Sequence, residues 1–200
     1  NTLSDAERGQ QLRQLEQDFA DQPDVLLNLA GRWIDLGEPE RAPRIVKGLE
    51  PVATQPFYRQ LEIARLWLAL DDFQTFSDWH RQALGQPLTP EQRRTLNALS
   101  GEYELALGRH EEQRGKAVLA WSHYRRAAAQ PGDHQLDARI ALLRLSAELD
   151  NSSEFDSQSA YLMAHQQTLS DGQLLALAEA MGTAGQPQAQ RQLLTTLLRR

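Results

Sequence analysis

The sequence predicts an all-α fold in which antiparallel helix hairpins stack into an α-solenoid. Among the 200 residues there are 33 Leu and 25 Ala but only 8 Val and Ile together, a balance that favours helices over strands. Apolar residues recur at spacings of three and four along nearly the whole chain, which is the period of an amphipathic helix. Short breaks rich in Pro, Gly and Asp separate these segments.

The segments between the breaks predict eleven helices. Their predicted spans are 5–20, 24–36, 40–53, 57–70, 73–84, 91–107, 114–129, 135–149, 153–168, 172–184 and 187–199. Connections of a few residues between helices of this length make neighbours antiparallel, so the predicted unit is a helix hairpin. The predicted hairpin turns lie at intervals of 34, 37, 42 and 35 residues, near Gly37, Asp71, Gly108, Asp150 and Gly185.

A repeat near 34 residues with two helices per unit resembles the tetratricopeptide repeat (TPR) family. The first helices carry a small residue followed three positions later by a large one, in the pairs Ala30 and Trp33, Ala64 and Trp67, and Ala178 and Met181. In the third unit Tyr103 is predicted to lie on the same packing stripe. The second helix there follows the family's order of small, aromatic, small and proline with Ala120, Tyr124, Ala127 and Pro131.

This resemblance implies one TPR-like right-handed superhelix over 1–200, with about five repeats after an N-terminal half repeat. The implied units are 1–22 (the half repeat), 23–56, 57–90, 91–133, 134–170 and 171–200. First helices of such repeats line a concave face, and a mixed-sign lining suits a folded protein surface or an extended peptide. The candidate partner-binding residues on this face are Asn28, Asp35, Tyr58, Arg65, Asn97, Glu104, Arg144, Glu148 and Glu179.

Composition and motifs argue against several kinds of site. With 27 acidic against 21 basic residues, sequence-independent nucleic-acid binding is disfavoured, and the lack of Cys excludes disulfides and thiolate chemistry. No apolar run reaches the roughly 20 residues of a membrane span. The segment 108–117 has two glycines and a lysine, but its spacing and Ala117 do not fit a phosphate loop, so it is interpreted as a lengthened hairpin turn. We predict no catalytic residue, cofactor or metal.

Other conspicuous residues are interpreted structurally. The five histidines lack the spacing of a zinc site and are predicted to be structural. Asp71–Asp72 and 150–153 are predicted to cap helices, because Asp, Asn and Ser accept hydrogen bonds from free amide groups there. The Trp side chains are predicted to lie in the core, with Trp121 also open to a binding role.

Three classes of function remain. Degenerate, Leu-, Arg- and Gln-rich repeats without Cys resemble the periplasmic regions of bacterial exopolysaccharide secretion proteins for Pel, cellulose and alginate. That resemblance implies a non-catalytic scaffold for biofilm export, attached to an outer-membrane protein, which recruits a periplasmic polysaccharide deacetylase or hydrolase. The alternative is the repeat domain of a cytoplasmic regulator that binds a peptide or a signalling protein. The third class is an enzyme, such as the helical part of a lytic transglycosylase, which needs a catalytic Glu in a globular domain.

The ends of the chain suggest a fragment of a longer repeat protein. It begins with Asn1 rather than Met, and 5–20 resembles the second helix of a unit whose first helix is missing. The last helix has an apolar face, formed by Leu193, Leu194, Leu197 and Leu198, where a solenoid normally has a polar cap. Self-association through such uncapped ends is therefore expected.

Overall fold

The protein is all-helical over the residues that its structure, a computed structural model, describes, which are 4–49 and 51–200. Eleven α-helices occur there and no strand. Their bounds are α1 Asp5–Asp18, α2 Pro23–Asp35, α3 Ala42–Gly48, α4 Phe57–Ala69, α5 Phe73–Leu84, α6 Pro90–Gln113, α7 Ala117–Ala128, α8 His134–Glu148, α9 Ser152–Ala164, α10 Asp171–Thr183 and α11 Pro187–Leu198. Short 3-10 helices, Pro39–Arg41 and Val52–Thr54, flank α3. Residue 50 of the predicted helix 40–53, and 1–3 of the predicted half repeat, lie outside the described residues.

Local sequence signals explain where several helices begin. Ser4, Thr89 and Ser170 each accept a hydrogen bond from the third residue of the following helix, whose Glu or Gln side chain bonds back to the cap. Proline at the first helical position starts α2, α6 and α11. The predicted helix 40–53 is shorter in the structure, because α3 ends at Gly48 and Pro51 follows.

The chain divides into two compact units, Asn1–Gly85 and Gln86–Arg200. In the first unit α1 packs on α2, α2 on α3 and α4, and α4 on α5. In the second unit α8 contacts α6, α7, α9 and α10, and α10 packs on α11. Helices that follow one another therefore form hairpins, and the first helices of successive hairpins contact each other within each unit.

Every hairpin turn has the same backbone geometry. One residue in each turn has a left-handed conformation, with φ between 54° and 84°, and we call it the turn residue; the five are Gly37, Asp71, Gly115, Asp150 and Gly185. The amide of the next residue donates a hydrogen bond of 2.8–2.9 Å to the carbonyl five residues back, which closes the helix end as in a Schellman motif. The turn residues therefore define a common register for the five hairpins.

This register corrects the prediction for the third hairpin. Its turn lies at Gly115 instead of Gly108, so the turn residues are 34, 44, 35 and 35 apart. Helix α6 continues through Gly108 to Gln113, and 108–113 is not the lengthened turn that the sequence suggested. A Cβ at Gly108 would lie 2.5 Å from the Tyr124 ring, so the glycine permits close approach of α6 and α7.

Consequently the large packing residue of the third hairpin was also assigned wrongly. Counting four residues back from each turn residue gives Trp33, Trp67, Glu111, Ser146 and Met181. Glu111 therefore occupies the place predicted for Tyr103, and its carboxylate is 2.9 Å from the Lys116 ammonium. That bond and the positive charge nearby keep the pKa of Glu111 below its usual value.

The fourth hairpin has a small residue, Ser146, at this position. Ser146 is fully buried, and its hydroxyl accepts a 3.1 Å hydrogen bond from the indole nitrogen of Trp121 on α7. The Trp121 side chain therefore lies against Ser146, and its polar atom is satisfied. Trp33, Trp67 and Trp79 are buried, as the core interpretation predicted.

Candidate functional site

The first unit has a shallow groove of about 350 Å³ between its two first helices, α2 and α4. We call it the unit 1 groove. Its lining comprises Leu27, Asn28, Gly31, Arg32, Ile34, Asp35, Glu62, Arg65, Leu66 and Ala69. Three of the predicted partner-binding residues, Asn28, Asp35 and Arg65, therefore lie together here.

Tyr58, a fourth candidate, lies on the same helix pair but outside this lining. Its hydroxyl donates to the Asp24 carboxylate over 3.2 Å, and Arg59 binds both oxygens of that carboxylate at 2.9 and 3.1 Å. The Arg59 guanidinium holds the pKa of Asp24 below its usual value. These bonds tie the start of α2 to the start of α4.

The second unit has a comparable groove of about 330 Å³ along α6, α8 and α10, the unit 2 groove. Its lining combines apolar and polar residues and comprises Leu105, Arg109, Glu112, Tyr124, Asp137, Ile140, Ala141, Arg144, Gly172, Gln173 and Ala176. Arg144 is the one predicted partner-binding residue in this lining. Its guanidinium forms a 3.2 Å ion pair with the carboxylate of Glu148, another predicted residue, one turn later on α8.

Charged groups in the unit 2 groove connect different helices. Arg144 on α8 pairs with Glu112 on α6, and the Tyr124 hydroxyl donates to the same Glu112 carboxylate over 2.7 Å. Asp137 on α8 accepts a 2.7 Å hydrogen bond from Gln173 on α10 and lies 3.7 Å from Arg109 on α6. The groove walls are therefore held in place by bonds across all three first helices.

These contacts change the proton affinities of the buried partners. Burial and the bond to Glu112 raise the pKa of Tyr124 well above its usual value. Burial alone would lower the pKa of Arg144, but the hydrogen bond and charge of Glu112 outweigh it, so the pKa is raised. The Tyr124 hydroxyl therefore stays protonated and the Arg144 guanidinium stays positively charged over a wide pH range.

The remaining predicted residues lie elsewhere on their helices. Glu104 is half-buried against α7, where His123 Nδ1 and Arg126 Nε are 2.8 and 2.9 Å from its carboxylate. Its interaction is therefore with the second helix of its own hairpin. Asn97 on α6 and Glu179 on α10 are exposed and line neither groove.

Sequence reasoning missed four polar residues of the unit 2 groove, namely Arg109, Glu112, Asp137 and Gln173. The turn-residue register identifies the first of them, because the sixth residue before the turn is Arg65, Arg109 and Arg144 in three successive hairpins. The hydrogen-bonded pairs Asp24 with Arg59 and Asp137 with Gln173 also occupy equivalent positions in this register. In both pairs the Asp is thirteen residues before the turn of its hairpin, and its partner is twelve residues before the turn of the next hairpin. Placing the third turn at Gly108 instead of Gly115 hides the equivalence of Arg109 with Arg65 and Arg144.

The chemistry of both grooves is that of binding by charge, hydrogen bonds and small apolar contacts. Within residues 4–49 and 51–200, no cluster of His, Asp and Glu could hold a metal ion. No helix in the described ranges combines the length and apolar character that crossing a bilayer requires. The lysine of the 108–117 segment pairs with Glu111.

No family model, characterised protein or solved structure matches this chain. The geometry of the two grooves is therefore the basis for a functional proposal.

Proposed function

We propose that the protein is a non-catalytic interaction scaffold whose first-helix grooves bind a partner protein. The observation that carries this proposal is the recurrence of arginine six residues before the turn in three hairpins, each time on a groove lining. Arginine presents planar donors that suit carboxylates and peptide carbonyls, and it is enriched in protein interfaces. A repeated position with one chemistry favours recognition of an extended or periodic surface.

The hairpin arrangement supports membership of a TPR-like array. Within each unit the first helices contact one another, α2 with α4 and α6 with α8 with α10. Repeat proteins place their binding residues on such a shared face, since each unit contacts only its neighbours. Five hairpins after an N-terminal half repeat, in one right-handed superhelix, is the arrangement that we propose.

The proposed partner is a periplasmic polysaccharide deacetylase or hydrolase, and the proposed process is exopolysaccharide secretion in biofilm formation. Support comes from the similarity in composition to the repeat region of the Pel outer-membrane secretion protein and its cellulose and alginate counterparts. In this proposal the chain acts in the periplasm, attached to an outer-membrane protein. A partner surface with both carboxylates and cations would complement the mixed charges of the grooves.

Binding of the purified chain to a purified deacetylase or hydrolase of the same secretion system tests the proposal. We expect single reversals Arg65→Glu, Arg109→Glu and Arg144→Glu to weaken binding about tenfold each, as loss of an interface arginine does. Arg93→Glu is the matched control, because Arg93 is exposed on α6 outside the groove lining. Circular dichroism would verify that each variant remains helical.

Two outcomes would contradict the proposal at different levels. Absence of binding by the unmodified chain would remove this class of enzyme as the partner. Tight binding that all three reversals leave unchanged would remove the grooves as the binding surface.

A further inference from the structure

Gly31, in the interior of α2, is a glycine that packing among the described residues does not require. Four glycines lie in helices away from the first and last turns, and a Cβ on the other three, Gly9, Gly101 and Gly108, would meet a neighbouring side chain within 4 Å. A Cβ on Gly31 would meet nothing within that distance. Glycine weakens a helix relative to alanine, so Gly31 costs α2 stability without a packing contact that needs it.

The position of Gly31 is inside the unit 1 groove. On α2 it follows Leu27 by one turn and comes three residues before Ile34, and Leu66 on α4 lines the same groove. Leu27 and Leu66 are buried and Ile34 is half-buried. The missing side chain at Gly31 therefore leaves helix backbone accessible among aliphatic side chains.

The register shows which side chain other hairpins have at this position. Gly31 is the sixth residue before its turn, as are Arg65, Arg109 and Arg144 in the next three hairpins. In the unit 2 groove the Arg109 guanidinium extends from α6 to within 3.7 Å of the Asp137 carboxylate on α8. Glycine at the equivalent place on α2 has no side chain with which to cross to α4. The unit 1 groove therefore stays open where a side chain crosses the unit 2 groove.

Charged pairs lie on both walls of the unit 1 groove. Arg32 is 3.8 Å from Asp35 on α2, and Arg65 is 2.9 Å from Glu62 on α4. These four side chains are between 45% and 72% exposed, so a ligand can reach them without displacing a covering segment. Each wall thus offers one cation and one carboxylate next to the aliphatic gap.

We propose that Gly31 determines the specificity of the unit 1 groove, by letting an extended partner segment place a leucine-sized aliphatic side chain against the α2 backbone. We call Leu27, Gly31, Ile34 and Leu66 the aliphatic subsite. Glycine allows this close approach, and removing aliphatic surface from water stabilises the complex. One acidic and one basic residue beside the aliphatic side chain complement the charged pairs of the walls. The inference rests on the proposed function and adds the chemistry of the segment that this groove accepts.

NMR titration of the full chain with two blocked tripeptides tests the aliphatic preference. The probes are acetyl-Glu-Leu-Lys-amide and acetyl-Glu-Gly-Lys-amide, which differ only in the central side chain. We expect the leucine peptide to bind about tenfold more tightly, because its side chain loses part of its contact with water in the groove. The amide signals of Gly31 and Ile34 should shift as it binds.

The variant Gly31→Leu fills the subsite with a side chain of the protein itself. We expect it to bind both peptides equally weakly, and to be at least as stable as the native chain in urea, because leucine favours helices. The matched control is Gly48→Leu at the end of α3, since a Cβ there also meets nothing within 4 Å and Gly48 lies outside the groove lining. This control should keep the native preference for the leucine peptide.

Three results would overturn the inference. Equal affinity of the native chain for the two peptides, or no binding of either, shows that the groove has no aliphatic subsite. A preference for the leucine peptide that survives in Gly31→Leu places the subsite elsewhere. A marked loss of stability in Gly31→Leu shows that packing of the chain itself requires the glycine.

Failure of the proposed function is distinguishable from these results. If the native chain prefers the leucine peptide through Gly31 but does not bind the purified deacetylase or hydrolase, the aliphatic subsite stands and that class of partner is wrong. If the enzyme binds and Arg65→Glu weakens it, while Gly31→Leu binds it as tightly as the native chain, the groove stands and the aliphatic subsite is wrong.

Discussion

The two grooves present similar side chains, but their charges are paired differently. In the unit 1 groove Arg65 pairs with Glu62 at 2.9 Å and Arg32 with Asp35 at 3.8 Å, in each case within one helix. In the unit 2 groove Arg144 and Arg109 pair with carboxylates on neighbouring helices. The cross-helix pairs fix the positions of α6 and α8 relative to one another in the unit 2 groove, whereas the two pairs named for the unit 1 groove each stabilise a single helix.

The largest expected contrast concerns glycines in the first helices. Gly108→Ala in the second unit should destabilise the protein by about 2 kcal/mol, because the new methyl group collides with the Tyr124 ring. Gly31→Ala in the unit 1 groove meets nothing within 4 Å and should stabilise α2 by about 1 kcal/mol through higher helix propensity. Urea unfolding measures both. Stabilisation by Gly108→Ala would refute the close approach of α6 and α7.

A second contrast compares the acidic partners of the two arginines. Glu112→Gln should cost about 1–2 kcal/mol of unfolding free energy, because it weakens the bonds to both Arg144 and Tyr124 in a partly buried site. Glu62→Gln removes an exposed pair within one helix and should cost less than about 0.5 kcal/mol. Equal costs in thermal unfolding would show that the cross-helix pairing contributes nothing extra.

The turn residues offer a comparison that spans both units. Asp71 and Asp150 adopt a left-handed conformation that costs a non-glycine residue about 1 kcal/mol. Replacing Asp150 by Gly should therefore stabilise its hairpin by up to about 1 kcal/mol, while Gly37→Ala or Gly185→Ala should destabilise by a similar amount. Chemical denaturation of the three variants checks this, and a loss of stability on Asp150→Gly would contradict the backbone cost assigned to the left-handed aspartate.

The smallest expected effects are opposite responses to pH. The folded state lowers the pKa of Asp24 in the first unit, so the stabilisation from its bond to Arg59 is present above pH about 4 and is lost as the pH falls further. Asp24→Asn should therefore flatten the acid side of the stability curve. A variant that keeps the full acid dependence would show that the pair is not thermodynamically significant.

In the second unit the folded state raises the pKa of Tyr124, so its contribution is present below pH about 10 and is lost as the pH rises. Of the four tyrosines, Tyr124 should fail to ionise in the native protein at the pH where exposed tyrosines do. Absorbance at the tyrosinate wavelength measures this, with Tyr124→Phe as the control. If Tyr124 is the silent group, the native titration curve is the same in Tyr124→Phe, whereas a curve that loses one tyrosine in the variant would assign the silent group elsewhere.

The sequence alone determined the helical class, the number of helices and most of their bounds. Leu and Ala at helical spacing, proline starts and polar caps act locally, so they can be read without tertiary information. The tertiary structure was needed for the register of the third hairpin, because Gly108 looks like a break in the sequence but serves close packing against Tyr124. It also decided which charges meet in the grooves. A pair such as Arg144 with Glu112 depends on how two helices are aligned along each other, and no local pattern in the chain encodes that alignment.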